Sequence, residues 1–249
     1  MQDKSPPPSP PPVVPPVVLM TGSTRGIGAA IADALRARGA HVIGHGRSAA
    51  PGTIAADLRD PAAVHALWDT ALAMADGRID VLINNAGLFA ENPLGRSDFA
   101  WLDAWEETLR INLTATAQLS RLAVRHWQES GAGGRVVHVA SRAAHRGDSP
   151  DHWHYAASKG AMVALHKTIA RGYADQNIFS FAISPGFVAT DMAADYLAST
   201  DAAMLAAQIP LGRVAMPQEI ARIATFCALD APPSMTGAVI DANGASHVR

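Results

Sequence analysis

Residues 17–28 read Val17-Val18-Leu19-Met20-Thr21-Gly22-Ser23-Thr24-Arg25-Gly26-Ile27-Gly28. The first four form an uninterrupted apolar run, the length of a short buried strand. The next eight carry glycines spaced Gly-x-x-x-Gly-x-Gly, and Ala29 to Arg38 then follows a helical pattern that Gly39 ends. Strand, glycine-rich turn and helix make the opening of a dinucleotide-binding βαβ unit. Gly22, Gly26 and Gly28 allow tight turning and close approach of a pyrophosphate to the helix N-terminus, with Ser23, Thr24, Arg25 and Ile27 in the same turn. The spacing departs from the usual Gly-x-Gly-x-x-Gly, so an ordinary strand–helix turn stays open as the alternative.

The same alternation continues outward. Further strands are expected at His41–His45, Thr53–Ala56, Val81–Ile83, Arg135–Ala140, Phe179–Ser184 and Ala238–Asp241. Helices are expected at Pro61–Ala75, Asp98–Gln128, from Tyr155 to about Ala174, and at Pro217–Leu229. The pattern predicts an α/β fold: a Rossmann-like, doubly wound parallel sheet of about seven strands with helices on both faces. It predicts one catalytic domain over residues 17–249, with a lid over 187–210. The link between Arg47 and Thr53 is too short for a full crossover helix. Residues 1–16, mostly Pro and Ser, read as a disordered tail, with a proline-rich docking ligand as the alternative.

Composition narrows the function classes. A formal net charge of −2 gives no global basic field for nucleic acid. The single cysteine, Cys227, excludes a disulfide within the chain. No apolar run spans a bilayer and no secretory signal opens the chain, so a cytoplasmic protein without membrane contact is expected. His145, His152 and His154 lie close in sequence without supporting Cys or carboxylate spacing, so no metal is expected.

Chemistry concentrates in His154-Tyr155-Ala156-Ala157-Ser158-Lys159. On a helix, Tyr155 and Lys159 stand on adjacent turns of one face. An ammonium fixed beside a phenol favours the phenolate. Moving a phenol from about 10 toward 7 takes roughly 4 kcal/mol of differential stabilisation. Tyr155 would then serve as a proton donor and acceptor for carbonyl/alcohol chemistry, although a plain surface helix pair has the same spacing. Asn84-Asn85-Ala86-Gly87 closes the fourth strand, where open α/β sheets hold ligands, and Ser141 closes the fifth. Asn112 is a poor interior helix residue inside a long helix. After the second strand stands Gly46-Arg47-Ser48, with no acid for a ribose 2′-OH and an arginine suited to a 2′-phosphate; this favours NADP(H), with NAD(H) the alternative.

In this order these features resemble the short-chain dehydrogenase/reductase family in its compact form, from about Val17 to the C-terminus. The motifs that carry the resemblance are the Thr21–Gly28 turn, Asp57, Asn84-Asn85-Ala86-Gly87, Asn112, Ser141, Tyr155 with Lys159, and Pro185-Gly186 followed by Thr190. The resemblance implies that Tyr155 is the general acid/base, that Lys159 lowers its pKa and holds the nicotinamide ribose, that Ser141 orients the carbonyl, and that Asn112 serves a water-linked proton path. It implies cofactor contacts at Asp57, Leu58, Asn84, Ala86, Gly87, Pro185, Gly186, Val188 and Thr190 besides the turn, Arg47 and Ser48. It also implies a homotetramer or homodimer. Phe89, Ser141, His145, Trp153, Phe187, Met192 and Tyr196 are the candidate substrate contacts. The chain departs from the family in its short second crossover, in Asp241-Ala242-Asn243-Gly244 where many members carry a glycine pair, and in a polar, aromatic Ser141-to-Tyr155 loop suited to a polar or acidic ligand. The expected activity is NADP(H)-dependent hydride transfer with a small carbonyl/secondary-alcohol substrate, most similar to 3-oxoacyl-thioester reductases. The alternatives are a sugar, polyol or cyclic-alcohol dehydrogenase and a non-catalytic cofactor-binding sensor.

Overall fold

The computed structural model describes residues 14–190 and 208–249. Most of the expected tail and of the expected lid, including Met192 and Tyr196, lies outside the described residues. Seven strands form one parallel sheet: β1 (Val17–Met20), β2 (His41–Gly46), β3 (Thr53–Ala55), β4 (Val81–Asn84), β5 (Gly134–Val139), β6 (Ile178–Pro185) and β7 (Val239–Ala242). Their order is β3-β2-β1-β4-β5-β6-β7. The direction of winding therefore reverses between β1 and β4, which opens a crevice at the carboxyl ends of those two strands.

Each strand divides its apolar side chains between the two faces. Val18 and Met20 of β1 enter one core with Ile83, Val137 and Phe181. Leu19 enters the other with Ile43, Leu82 and Val136. A continuous apolar run is thus what a strand covered on both sides requires. The first core is roofed by α1 (Gly26–Ala37) and α7 (Pro217–Leu229), through Ile31, Leu35, Ile220 and Ala224. The second is roofed by α2 (Pro61–Met74), α4 (Ala115–Ser130) and α6 (Trp153–Tyr173). Trp127 of α4 is buried, its Nε1 donates to Ile79 O at 2.6 Å, and a Cβ on Gly134 would lie 2.1 Å from its ring. Only glycine fits beneath that indole.

Local chemistry sets the helix boundaries. Asp60 accepts from Ala62 N at 2.8 Å with Pro61 in the first turn of α2, and Ser97 accepts from Ala100 N at the start of α3 (Asp98–Leu109). No helix separates β2 from β3. Six residues, 47–52, suffice because β3 pairs only three positions, from Gly44↔Thr53 to Gly46↔Ala55.

Two expected elements differ. The single helix expected over Asp98–Gln128 is interrupted by a π-turn at Arg110–Thr114, between α3 and α4. The wider turn lets Asn112 sit fully buried, with its side chain directed at neighbouring elements. The loop after β5 contains a short helix, α5 (Ala143–Arg146), closed by Gly147 at φ 77°. Among the described residues no helix is long and apolar enough to cross a membrane.

Candidate active site

A cleft of about 680 Å³ lies at the carboxyl ends of the central strands. Its floor at one end is the glycine-rich turn. Gly22 and Gly26 have φ of 67° and 54°, a region that side chains beyond glycine rarely adopt. A Cβ on Gly28 would fall 1.8 Å from Gly22 O. Asn85 Nδ2 donates to Thr21 O and Gly22 O at 3.1 and 2.9 Å, and Thr21 Oγ1 accepts from Asn85 N and Ala86 N at 3.1 Å each. His45 clamps the turn from the other side: Nδ1 accepts from Gly22 N at 3.2 Å while Nε2 donates to Ala56 O at 3.0 Å. Those partners fix the neutral tautomer, in keeping with a pKa that burial pushes down. At the N-terminus of α1, Arg25 makes no side-chain cap and the first turn has no acid, so its backbone N–H groups suit an anion. A pyrophosphate-bearing nucleotide fits this cradle.

At the adenine end expected from the sequence, Arg25, Arg47, Asp57 and Leu58 line the cleft. Arg59 holds Asp57 in a two-pronged ion pair, with a shortest contact of 2.6 Å, and also reaches Glu107 at 3.3 Å. Its guanidinium holds the Asp57 carboxyl down at about 2. A Cβ on Gly46 would lie 2.7 Å from Thr24 Cγ2, so an acid at this position needs Thr24 to move.

At the other end stand Ser141, Tyr155 and Lys159. Ser141 Oγ accepts from Ala143 N at 3.1 Å, which fixes the turn into α5, and Ser141 lines the cleft together with Tyr155. Lys159 is buried, its Nζ donates to Val139 O at 2.9 Å and lies 5.8 Å from the Tyr155 ring centroid. Burial pushes its ammonium down to about 8. Asn112 Oδ1 accepts from Leu88 N at 2.7 Å, while Nδ2 donates to Leu88 O at 3.0 Å and to Ser158 Oγ at 3.1 Å. Ser158 Oγ in turn donates to Tyr155 O at 2.7 Å. A chain of bonds therefore runs from the loop after β4 to the turn of α6 that bears Tyr155. Phe89 packs edge-on to Tyr155 and stacks on His152 at 4.0 Å, and Asn92 N donates to Asp151 O at 2.8 Å.

The depressed Tyr155 pKa expected from the lysine is not found. Tyr155 as a whole is part-buried, but enclosure of its phenol dominates and pushes it up to about 12. The Ser141 hydroxyl opposes that rise and nearby Asp148 adds to it. The phenol is a protonated acid in the free chain.

Most of the sequence-derived candidates meet in this cleft: Gly22 and Thr24 to Gly28 of the turn, then Arg47, Asp57, Leu58, Ala86, Gly87, Phe89, Ser141, Tyr155, Lys159, Pro185, Gly186, Phe187, Val188 and Thr190. Several lie elsewhere. Ser23 Oγ is buried against His45 O, Asn84 Nδ2 donates to Ser120 Oγ at 3.1 Å, and Ser48 is exposed away from the lining. His145 bonds Ser184 Oγ and stacks on His247, and Trp153 is exposed and packs edge-on to Trp101. Neither lines the cleft, because α5 turns His145 toward β6 and the start of α6 turns Trp153 toward α3. Asn85 and His45 were not predicted; the second position of the Asn-Asn pair and a histidine in a strand beside a glycine turn are the available signals.

A doubly wound sheet with a nucleotide cradle at its switch point and a Ser–Tyr–Lys group beyond it defines a dehydrogenase or reductase. The chain belongs to the short-chain dehydrogenase/reductase family and is an oxidoreductase. The profile of a family described as enoyl-(acyl carrier protein) reductase matches residues 22–247. The chain is 32% identical over 242 residues to the 3-oxoacyl-[acyl-carrier-protein] reductase of Salmonella typhimurium, covering 92% of this chain and 96% of that one. The same figures hold for the Escherichia coli strain K12 reductase of that name. The Aquifex aeolicus reductase is 32% identical over 242 residues, covering 91% of this chain and 95% of its own.

Proposed function

We propose that the protein is an NADP(H)-dependent reductase acting on a carbonyl/secondary-alcohol pair. The observation that carries this reading is that Ser141, Tyr155 and buried Lys159, one helical turn on from the tyrosine, line the same cleft as the glycine cradle. Ser141 and Tyr155 hold the substrate oxygen, and Tyr155 gives it a proton. The nicotinamide, when bound, supplies hydride to the carbonyl carbon. Lys159 stabilises the phenolate left on Tyr155 and binds the nicotinamide ribose. Asn112 is a positioning residue, since both polar atoms of its side chain are occupied by Leu88 and Ser158. The relatives' names specify 3-oxoacyl-[acyl-carrier-protein] substrates; what carries to this chain is reduction at a carbonyl.

Arg47 and Arg25 at the far end, with Gly46 backed by Thr24, support a 2′-phosphate. Exposed Phe99 and Leu102 on α3 support assembly into a homodimer or homotetramer, which sedimentation tests. A fluorescence titration with NADPH and NADH tests the cofactor. NADPH is expected to bind at least tenfold more tightly, with Arg47→Ala removing most of that difference. Equal binding of the two cofactors, or an unchanged ratio in Arg47→Ala, rejects the assignment.

A further inference from the structure

The sheet face beneath α4 and α6 is apolar at Leu82 of β4 and Val136 of β5. Two residues further along the same strands, on the same face, stand Asn84 and His138. They are paired in register, side by side, and both are buried. Asn84 Nδ2 donates to Ser120 Oγ of α4 at 3.1 Å, and Ser120 Oγ donates to Thr116 O at 2.7 Å. On the other side, buried His166 of α6 bonds Ser180 Oγ of β6 through Nδ1 at 2.8 Å. Its ring centroid lies 5.9 Å from that of His138. A polar seam therefore crosses an otherwise apolar core.

The seam runs behind Lys159. Lys159 Nζ donates to the carbonyl of Val139, the residue after His138 on β5. Lys159 and His166 stand about two turns apart on one face of α6, and the charges of both act on the His138 ring and help to keep it neutral. Three atoms of the seam have no protein partner among the described residues: Asn84 Oδ1 and both ring nitrogens of His138. A neutral imidazole offers one N–H donor and one acceptor nitrogen, and the amide oxygen is an acceptor. Left bare in an apolar interior, each group costs stability that leucine or valine at the same position would not. What satisfies all three is a small molecule that both donates and accepts. Water does so, and buried waters characteristically bridge such otherwise unpaired groups.

We propose that Asn84 Oδ1 and His138 bind internal water behind Lys159, and that this water supports the charge of the lysine. His138 is a positioning residue, since neither it nor Asn84 lines the cleft. Water held by the ring and the amide solvates the ammonium and opposes the desolvation that pushes it down. The link to Lys159 rests on the reading of Tyr155 and Lys159 as the proton-transferring pair; the water site itself does not.

Two measurements test the proposal. In a high-resolution crystal structure of the cofactor-free protein, water is expected within hydrogen-bond distance of both Asn84 Oδ1 and a His138 ring nitrogen. A dry site, or one in which the two side chains bond each other directly, overturns the water site. The second measurement is the pH profile of kcat for NADPH-dependent ketone reduction by the parent, His138→Leu and His138→Gln. Leucine fills the site with an apolar group, so the alkaline limb, where Lys159 loses its proton, is expected about one pH unit lower. Glutamine keeps a donor and an acceptor and is expected to restore most of that difference. A purely structural role for His138 would lower kcat or stability and leave the limb where it is. An unmoved limb in His138→Leu, with water present in the parent crystal, overturns the support of Lys159. Absence of NADPH oxidation by the parent with any ketone overturns the reductase reading and the link to Lys159 with it, while the crystal structure still decides the water site.

Discussion

Replacing Lys159 with methionine should stabilise the free protein while removing its activity. The ammonium is held in the interior beside one carbonyl, and burial brings it from 10.5 to about 8. That difference, about 2.5 pKa units at roughly 1.4 kcal/mol each, corresponds to a cost of about 3 kcal/mol for keeping the charge at neutral pH. Losing the bond to Val139 O gives back about 1 kcal/mol, so Lys159→Met is expected to gain roughly 2 kcal/mol. For a chain of this length that is a rise of about 4–8 °C in Tm. The sign fixes the pH dependence. Because the folded pKa lies below the unfolded value, the cost is fully present below about 8, declines between 8 and 10.5, and is absent above. Thermal unfolding of both proteins from pH 6 to 10.5, without cofactor, should show curves that start apart and converge. A variant less stable than the parent at pH 7, or a gap independent of pH, would refute the reasoning.

The buried rings of His138 and His166 are pushed by burial from 6.5 to about 3 and about 4. Their stability contribution is complete above about 6.5 and lost as pH falls through the folded values, at about 2 kcal/mol per ring by pH 5; His138→Leu should therefore flatten the acid limb of denaturant-measured stability, and an unchanged limb would exclude that ring. Asn112→Ala leaves Leu88 N, Leu88 O and Ser158 Oγ without their partner and should cost about 2–4 kcal/mol in chemical denaturation together with most of kcat; a neutral substitution would remove Asn112 from the account. Gly46→Asp alone should weaken both cofactors because of Thr24, whereas Gly46→Asp with Thr24→Ala should turn the NADPH preference toward NADH by tenfold or more in kcat/KM. Retained NADPH preference in the double variant would show that the second strand does not set it.

Much of this was readable in the chain. The Val17–Gly28 stretch led to β1, the turn and α1 because strand length and glycine conformation are local properties. Tyr155 and Lys159 shared a face because helical spacing is local as well. What escaped depended on elements distant in sequence. The π-turn at Arg110–Thr114 follows from the bonds of Asn112 to Leu88 and Ser158, and the sequence marked it only as a poor helix residue. The side of the loop faced by His145 and Trp153 depended on α5, four residues that the polar pattern concealed. The Tyr155 phenol moved opposite to the direction that the Tyr–Lys spacing suggests, because enclosure of the phenol, a tertiary property, dominates its environment. Asn243 stood out as a departure, and its clasp on His247 became visible only with the end of the chain folded back.

The most direct test of the central claim is Tyr155→Phe, assayed both for NADPH binding by fluorescence titration and for NADPH-dependent ketone reduction. The account predicts NADPH affinity within a few-fold of the parent and a loss of kcat of a thousandfold or more, since the hydroxyl that donates the proton is gone while the cradle at Gly22, Gly26 and Gly28 is intact. Turnover retained in Tyr155→Phe would contradict it.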